Sequence, residues 1–109
     1  MTLKKLKKLK EVYDVIENEE KVVLYFYTTF CPDCIMLKPF LSRLEKDFKE
    51  YTFYALNRDQ HLELAKHLEI YGIPSFLVFR QGEEIGRLVN KLRKSYIEVK
   101  TFIENTIKE

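Results

Sequence analysis

The 109-residue sequence predicts an α/β protein built on a central mixed β-sheet with helices on both faces. Three observations point there. The run Val22-Val23-Leu24-Tyr25-Phe26-Tyr27 is continuously β-branched and aromatic, as strands buried on both faces are. A helical pattern and a second strand follow it, a strand–helix–strand unit that favours parallel pairing. Two more strand patterns then flank Gln81-Gly82, which suits a tight hairpin turn and adds antiparallel strands to the sheet.

The elements follow in order. Across Leu3 to Glu19, Leu6, Leu9, Val12, Tyr13 and Ile16 recur at three- and four-residue spacing, one stripe of an amphipathic helix. The lysines between them form its solvated face, and a short edge strand over the first residues is the alternative. After the Val22–Tyr27 strand, Thr28-Thr29-Phe30 leads into Cys31-Pro32-Asp33-Cys34. A helix to about Glu50 turns Met36, Leu37, Phe40, Leu41, Leu44 and Phe48 inward, and Pro39 kinks it. Tyr51 to Leu56 is the next strand. Asp59 then caps a short helix carrying Leu62, Ala65 and Leu68. Gly72-Ile73-Pro74 precedes the hairpin strands Ser75–Arg80 and Glu84–Val89. Ser95 and Glu98 form a capping box for the last helix, which continues through Val99, Phe102 and Ile103 to the end.

Length and composition suit one domain over residues 1–109, with 46% apolar residues and only three Gly and three Pro. A net charge of +2 gives no reason to expect nucleic acid or a membrane surface as a partner. Lysines interrupt the N-terminal Met1-Thr2-Leu3-Lys4-Lys5-Leu6-Lys7-Lys8-Leu9-Lys10, so the sequence predicts no secretory signal, and no apolar stretch spans a bilayer. The expected compartment is the cytoplasm. There, two cysteines serve transient chemistry more readily than a structural bridge.

Cys31 and Cys34 are the candidate reactive pair. Placed three apart at a helix start, they form a small disulfide ring, with Cys31 at the mouth and Cys34 one turn in. Unsatisfied N–H groups and the positive helix end favour a thiolate on Cys31, making it the nucleophile. Pro32 suits the first helical turn. Asp33 opposes a thiolate beside it, and the sequence leaves the balance open. A structural zinc site needs four ligands, and His61 and His67 point to different faces of one short helix, so no metal is expected. Both histidines read as exposed, and Tyr25, Tyr27, Phe53, Phe76 and Phe79 as core.

From about Val22 onward the pattern resembles the thioredoxin family. The resemblance rests on the strand before Phe30-Cys31-Pro32-Asp33-Cys34, on Pro39 five residues past the second cysteine, on Asn57-Arg58-Asp59, on Gly72-Ile73-Pro74-Ser75, and on the hairpin with its capped helix. It implies a thioredoxin fold and a protein-disulfide reductase cycling Cys31 and Cys34 between dithiol and redox-active disulfide. It also implies a cis Ile73–Pro74 bond, and Phe30, Pro32, Asp33, Ile73 and Pro74 as the substrate-contact surface. Partners would be protein disulfides, with a thioredoxin reductase or a low-molecular-weight thiol as electron donor and no cofactor.

The sequence departs from the family in four places. Phe30 stands where thioredoxins usually carry Trp, and Pro32-Asp33 where they carry Gly-Pro. Tyr25 replaces a buried Asp linked to proton handling at the second cysteine, and Ala55 replaces its companion Lys. A thioredoxin-like paralogue is the expectation. The Cys-Pro start is also similar to glutaredoxins, which would bring glutathione or an iron–sulfur cluster. Ile73, and Asn90-Lys91-Leu92-Arg93 where those carry a Gly-Gly pair, count against it. A non-catalytic interaction module is the third reading.

Overall fold

The computed structural model describes residues 3–108; Met1, Thr2 and Glu109, which the N-terminal and single-domain readings included, lie outside the described residues. The chain runs β1 (Lys4–Lys5), α1 (Leu9–Asn18), β2 (Lys21–Tyr27), α2 (Pro32–Leu37), α3 (Leu41–Asp47), β3 (Thr52–Asn57), α4 (Leu62–His67), β4 (Ser75–Arg80), β5 (Glu83–Leu88) and α5 (Tyr96–Ile107). The five strands form one sheet in the order β1-β3-β2-β4-β5. β1, β3 and β2 are parallel, and β4 and β5 antiparallel. The mixed sheet with helices on both faces is therefore as expected.

Strand alternation sorts the core into two layers. Val23, Tyr25, Phe53, Ala55, Phe76 and Val78 face α2, α3 and α5, packing on Leu37, Leu44, Val99 and Ile103. Val22, Leu24, Phe26, Tyr54, Leu56, Leu77 and Phe79 face α1 and α4, packing on Val12, Val15, Leu64 and Ala65. β2 supplies both layers, which is why its sequence is apolar throughout. Each fully buried Phe or Leu contributes roughly 1.5–3 kcal/mol by leaving water.

Several local expectations shift. The N-terminal residues form the edge strand, and α1 begins only at Leu9. Glu11 fixes that start by accepting from the Lys7 and Lys8 amides (3.1 and 2.9 Å). Val12 and Val15 are the buried face, while Leu9 and Tyr13 are exposed. Pro39 does more than kink its helix. It sits in a 3₁₀ turn, Lys38–Phe40, that separates α2 from α3 and leaves Met36 and Phe40 outside the core. Asp59 does not cap α4, which starts after His61 without a side-chain cap; Asn57 instead caps a 3₁₀ turn, Arg58–Gln60, its side chain accepting from the Asp59 amide at 2.9 Å. Leu62 is exposed because α4 turns Leu64 and Ala65 inward.

His61 also departs from expectation. It is buried, and its Nε2–H donates to the Leu6 carbonyl oxygen at 2.7 Å, tying the start of α4 to the segment after β1. The Gln81-Gly82 turn forms as expected, with φ of 53° and 82° at its two residues. The Gln81 amide also donates to the Glu20 carbonyl (2.7 Å), pinning the hairpin to the start of β2. Ser95 caps α5 by accepting from the Glu98 amide at 3.1 Å.

Candidate active site

α2 starts where β2 leaves the sheet, and Cys31 is its N-cap. The Cys31 backbone is extended, and its sulfur accepts from the Cys34 amide at 3.2 Å. An amide aimed at the sulfur is the donor that a sulfur anion accepts from, so the residue that caps the helix is also the first cysteine of the pair. Pro32 occupies the first helical position, where no N–H is needed. Both cysteines are free thiols; Cys31 keeps 9% of its surface in contact with solvent and Cys34 4%. Cys31 is less exposed than its place at the helix mouth suggested.

Cys34 is enclosed by polar partners of three kinds. Its thiol interacts with the Cys31 side chain, the Thr28 backbone amide and the Tyr25 hydroxyl. Burial pushes the Cys34 thiol up first, and the Cys31 hydrogen bond and charge add to it. The Thr28 amide and the Tyr25 hydroxyl pull the other way, leaving it at about 12. Tyr25 is itself buried and its phenol is raised, chiefly by loss of water. Its ring packs between Tyr27, stacked at 5.6 Å, and Phe76 at 5.1 Å.

Asp33 finds a cation that sequence reasoning did not pair with it. Arg93 Nε donates to Asp33 Oδ1 at 3.0 Å, so the carboxylate beside Cys31 is opposed by a guanidinium from the segment before α5. Lys94 holds that segment in shape. It is 2% exposed, and its Nζ donates to the Asn90 carbonyl (3.3 Å), the Asn90 side-chain oxygen (2.8 Å) and the Leu92 carbonyl (2.8 Å). Burial draws the Lys94 ammonium below its ordinary pKa, while Glu98, Asp33 and the two cysteines oppose the shift. Nothing local marks a buried lysine one residue before a helix cap, so no sequence signal would have found it.

The same segment meets the Gly72-Ile73-Pro74 stretch. A Cβ on Gly72 would lie 2.2 Å from the Asn90 carbonyl oxygen, so only glycine allows this approach. The Ile73–Pro74 peptide bond is cis. Residues 90–94 thus touch both the first turn of α2 and the stretch before β4. Around the cysteines, Phe30 is 92% exposed and Pro32 is exposed, Asp33 and Ile73 are half-buried, and Pro74 is buried. His61 and His67 take no part, and among the described residues no cluster of His, Cys, Asp or Glu is arranged to hold a metal ion.

A family model for thioredoxin matches residues 4–104. The chain belongs to the thioredoxin family. Thioredoxin-3 of Saccharomyces cerevisiae, a mitochondrial protein, is 30% identical over 88 residues, spanning 81% of this chain and 69% of that one. The crystal structure of the same yeast protein in its oxidized form superposes with a TM-score of 0.80, at 28% identity, over 97% of this chain and 93% of that one. A structure concerned with the thiol-resolving mechanism of yeast mitochondrial 1-Cys peroxiredoxin via the glutathione and thioredoxin systems matches equally, with a TM-score of 0.80 and 27% identity over 97% and 93% of the two chains. This thioredoxin-family chain is a thiol–disulfide oxidoreductase with a Cys-x-x-Cys redox pair, and protein disulfides are its class of substrate. Among its described residues no helix is long and apolar enough to cross a membrane.

Proposed function

We propose that the protein reduces disulfides through Cys31 as nucleophile and Cys34 as resolving thiol. The Cys31 thiolate attacks one sulfur of a partner disulfide, expelling the other as a thiolate and leaving a mixed disulfide. Cys34 then loses its proton and attacks the Cys31 sulfur. The Cys31–Cys34 bond forms, the bond to the partner breaks, and the partner's second thiolate leaves. Two electrons pass from the cysteine pair to the partner.

One observation carries these roles: Cys31 caps α2 with an amide on its sulfur, whereas Cys34 lies inside the turn with its thiol pushed up to about 12. At neutral pH the first sulfur has the amide donor and the greater exposure of the two, and the second waits as a thiol until the mixed disulfide forms. Phe30, Pro32, Asp33, Ile73 and Pro74 form the contact surface. A ring as exposed as Phe30 beside a reactive sulfur suits an apolar side chain of the partner. The Ile73 backbone pairs with an extended partner segment in the manner of an added strand.

The reductant is a thioredoxin reductase or a low-molecular-weight thiol. We take residues 1–109 as one domain, consistent with a single sheet whose two layers account for the core, and the cytoplasm as its compartment. The peroxiredoxin-related structure supports thiol peroxidases as one class of client. Replacing Cys34 with Ser is expected to trap partners on Cys31 as adducts released by reductant, and Cys31→Ser to trap none. No adduct under oxidative stress overturns the scheme. Partner binding that survives loss of both cysteines points instead to an interaction module. In insulin reduction driven by thioredoxin reductase, turnover below that of an ordinary thioredoxin is expected, and equal turnover defeats the paralogue reading.

A further inference from the structure

Tyr25 and Ala55 are register partners on the neighbouring strands β2 and β3, and Lys5 of β1 is the next partner beyond Ala55. Paired residues share a face of the sheet, so this row runs beneath α2. Ala55 fills little of it. The space left is a cavity of about 230 Å³, lined by Tyr25, Tyr27, Thr28, Cys34 and Ala55, with Lys5 and Lys38 among its other walls. That volume falls below the roughly 300–1,000 Å³ of sites for drug-sized ligands. Leu3, Ile35, Leu41 and Ala55 make much of its wall apolar, but it is roomy enough for water, and Tyr25, Tyr27, Thr28 and Thr29 supply the polar groups to hold it. The cavity therefore reads as a solvent approach to Cys34.

We infer that Tyr25 is a positioning residue for the resolving step, its hydroxyl donating to the Cys34 sulfur at the inner end of this water-accessible cavity. The inference rests on the resolving role proposed for Cys34. A phenol raised by burial stays protonated across the physiological range, so it can donate to the sulfur but does not take its proton. The Cys34 proton leaves to water in the cavity. The Cys34 thiolate then attacks the Cys31 sulfur, forming the Cys31–Cys34 bond and expelling the partner's thiolate, which takes a proton from solvent. The Tyr25 hydroxyl and the Thr28 amide hold the transient anion. The other ionisable groups facing it are Cys31 and Asp33 on its own helix, Tyr27 on β2, Lys5 on β1, Lys38 after α2 and Lys94 before α5.

The test starts from the mixed disulfide of Cys31 with thionitrobenzoate and follows release of the coloured thiolate against pH. Tyr25→Phe keeps the ring and its stacks and removes only the hydroxyl. Release is expected to slow about tenfold at neutral pH, the loss of one hydrogen bond to a charged group, and its pH profile to move upward. Attack of Cys31 on the aromatic disulfide reagent, measured in a Cys34→Ser background, is expected to be equal with Tyr or Phe at position 25. Tyr27→Phe, which removes a neighbouring hydroxyl from the same cavity, is expected to leave release unchanged. Incorporating 3-fluorotyrosine at position 25, a stronger donor of the same shape, is expected to speed release. Wild-type rates and pH profiles in both position-25 variants overturn the inference, as does an equal loss in Tyr27→Phe. Failure of the wild-type protein to release the thiolate at all overturns the resolving role itself.

Discussion

Arg93 Nε lies 3.0 Å from Asp33 Oδ1, so the one carboxylate between the two cysteines is paired across the site with the segment that precedes α5. This answers the conflict that the sequence leaves open. Asp33 sits at the positive end of α2 and beside a reactive sulfur, and a cation from sixty residues away offsets its charge there.

The pair is half in solvent, so its contribution to stability is small. Arg93→Ala is expected to change unfolding free energy by less than about 1 kcal/mol. Its effect belongs to reactivity. Alkylation of Cys31 at neutral pH is expected to slow in Arg93→Ala and to quicken in Asp33→Asn, with both changes shrinking at high salt. Equal alkylation rates in the three proteins would show that the pair does not act on the sulfur.

Lys94 is the opposite case, buried and contributing through hydrogen bonds. Lys94→Met keeps most of the apolar stem and strips three acceptors of their donor. A loss of about 1–3 kcal/mol in urea unfolding is expected. Amide exchange is expected to quicken selectively over residues 90–93. Uniform quickening over the whole sheet would mean that Lys94 supports the fold at large and not this segment.

Gly72→Ala tests the contact between the stretch before β4 and residues 90–94. With the new Cβ 2.2 Å from the Asn90 carbonyl oxygen, backbone must move, at a cost of about 1–3 kcal/mol or more. Because that movement shifts the neighbouring Ile73 edge, disulfide exchange with protein substrates is expected to slow more than exchange with a small aromatic disulfide. An equal slowing of both would place the damage at the sulfurs.

Cys34 makes the reduced protein sensitive to alkaline pH. Its folded-state pKa, about 12, lies above the roughly 8.5 of an unfolded cysteine, so the fold favours the neutral thiol. That stabilisation is complete below about pH 8.5 and is lost as pH rises toward 12. Urea midpoints from pH 7 to 10 are expected to fall more steeply for Cys31→Ser, which keeps the Cys34 thiol, than for the Cys31→Ser/Cys34→Ser double variant. Parallel curves would remove burial of Cys34 as the cause.

Much of the fold is legible from local patterns. The apolar run of β2, the turn at Gln81-Gly82 and the Ser95 cap each carry a local signal that tertiary packing has no reason to override. Faces of short helices are less legible. Leu62 and Met36 look like core residues, but a helix of six residues completes fewer than two turns, and its rotation is set by what it packs on. His61 is buried for the same reason: the Leu6 carbonyl that accepts its N–H lies 55 positions earlier.

By itself the sequence determined the reactive chemistry, because two cysteines three apart on one helix start need only local geometry to become a redox pair. Only the tertiary structure decided the surroundings of those sulfurs. The Arg93 guanidinium, the Lys94 staple, the Gly72 approach and the Tyr25 hydroxyl come from segments far apart along the chain. Their distances are set by sheet register and loop packing, which no short window of residues encodes.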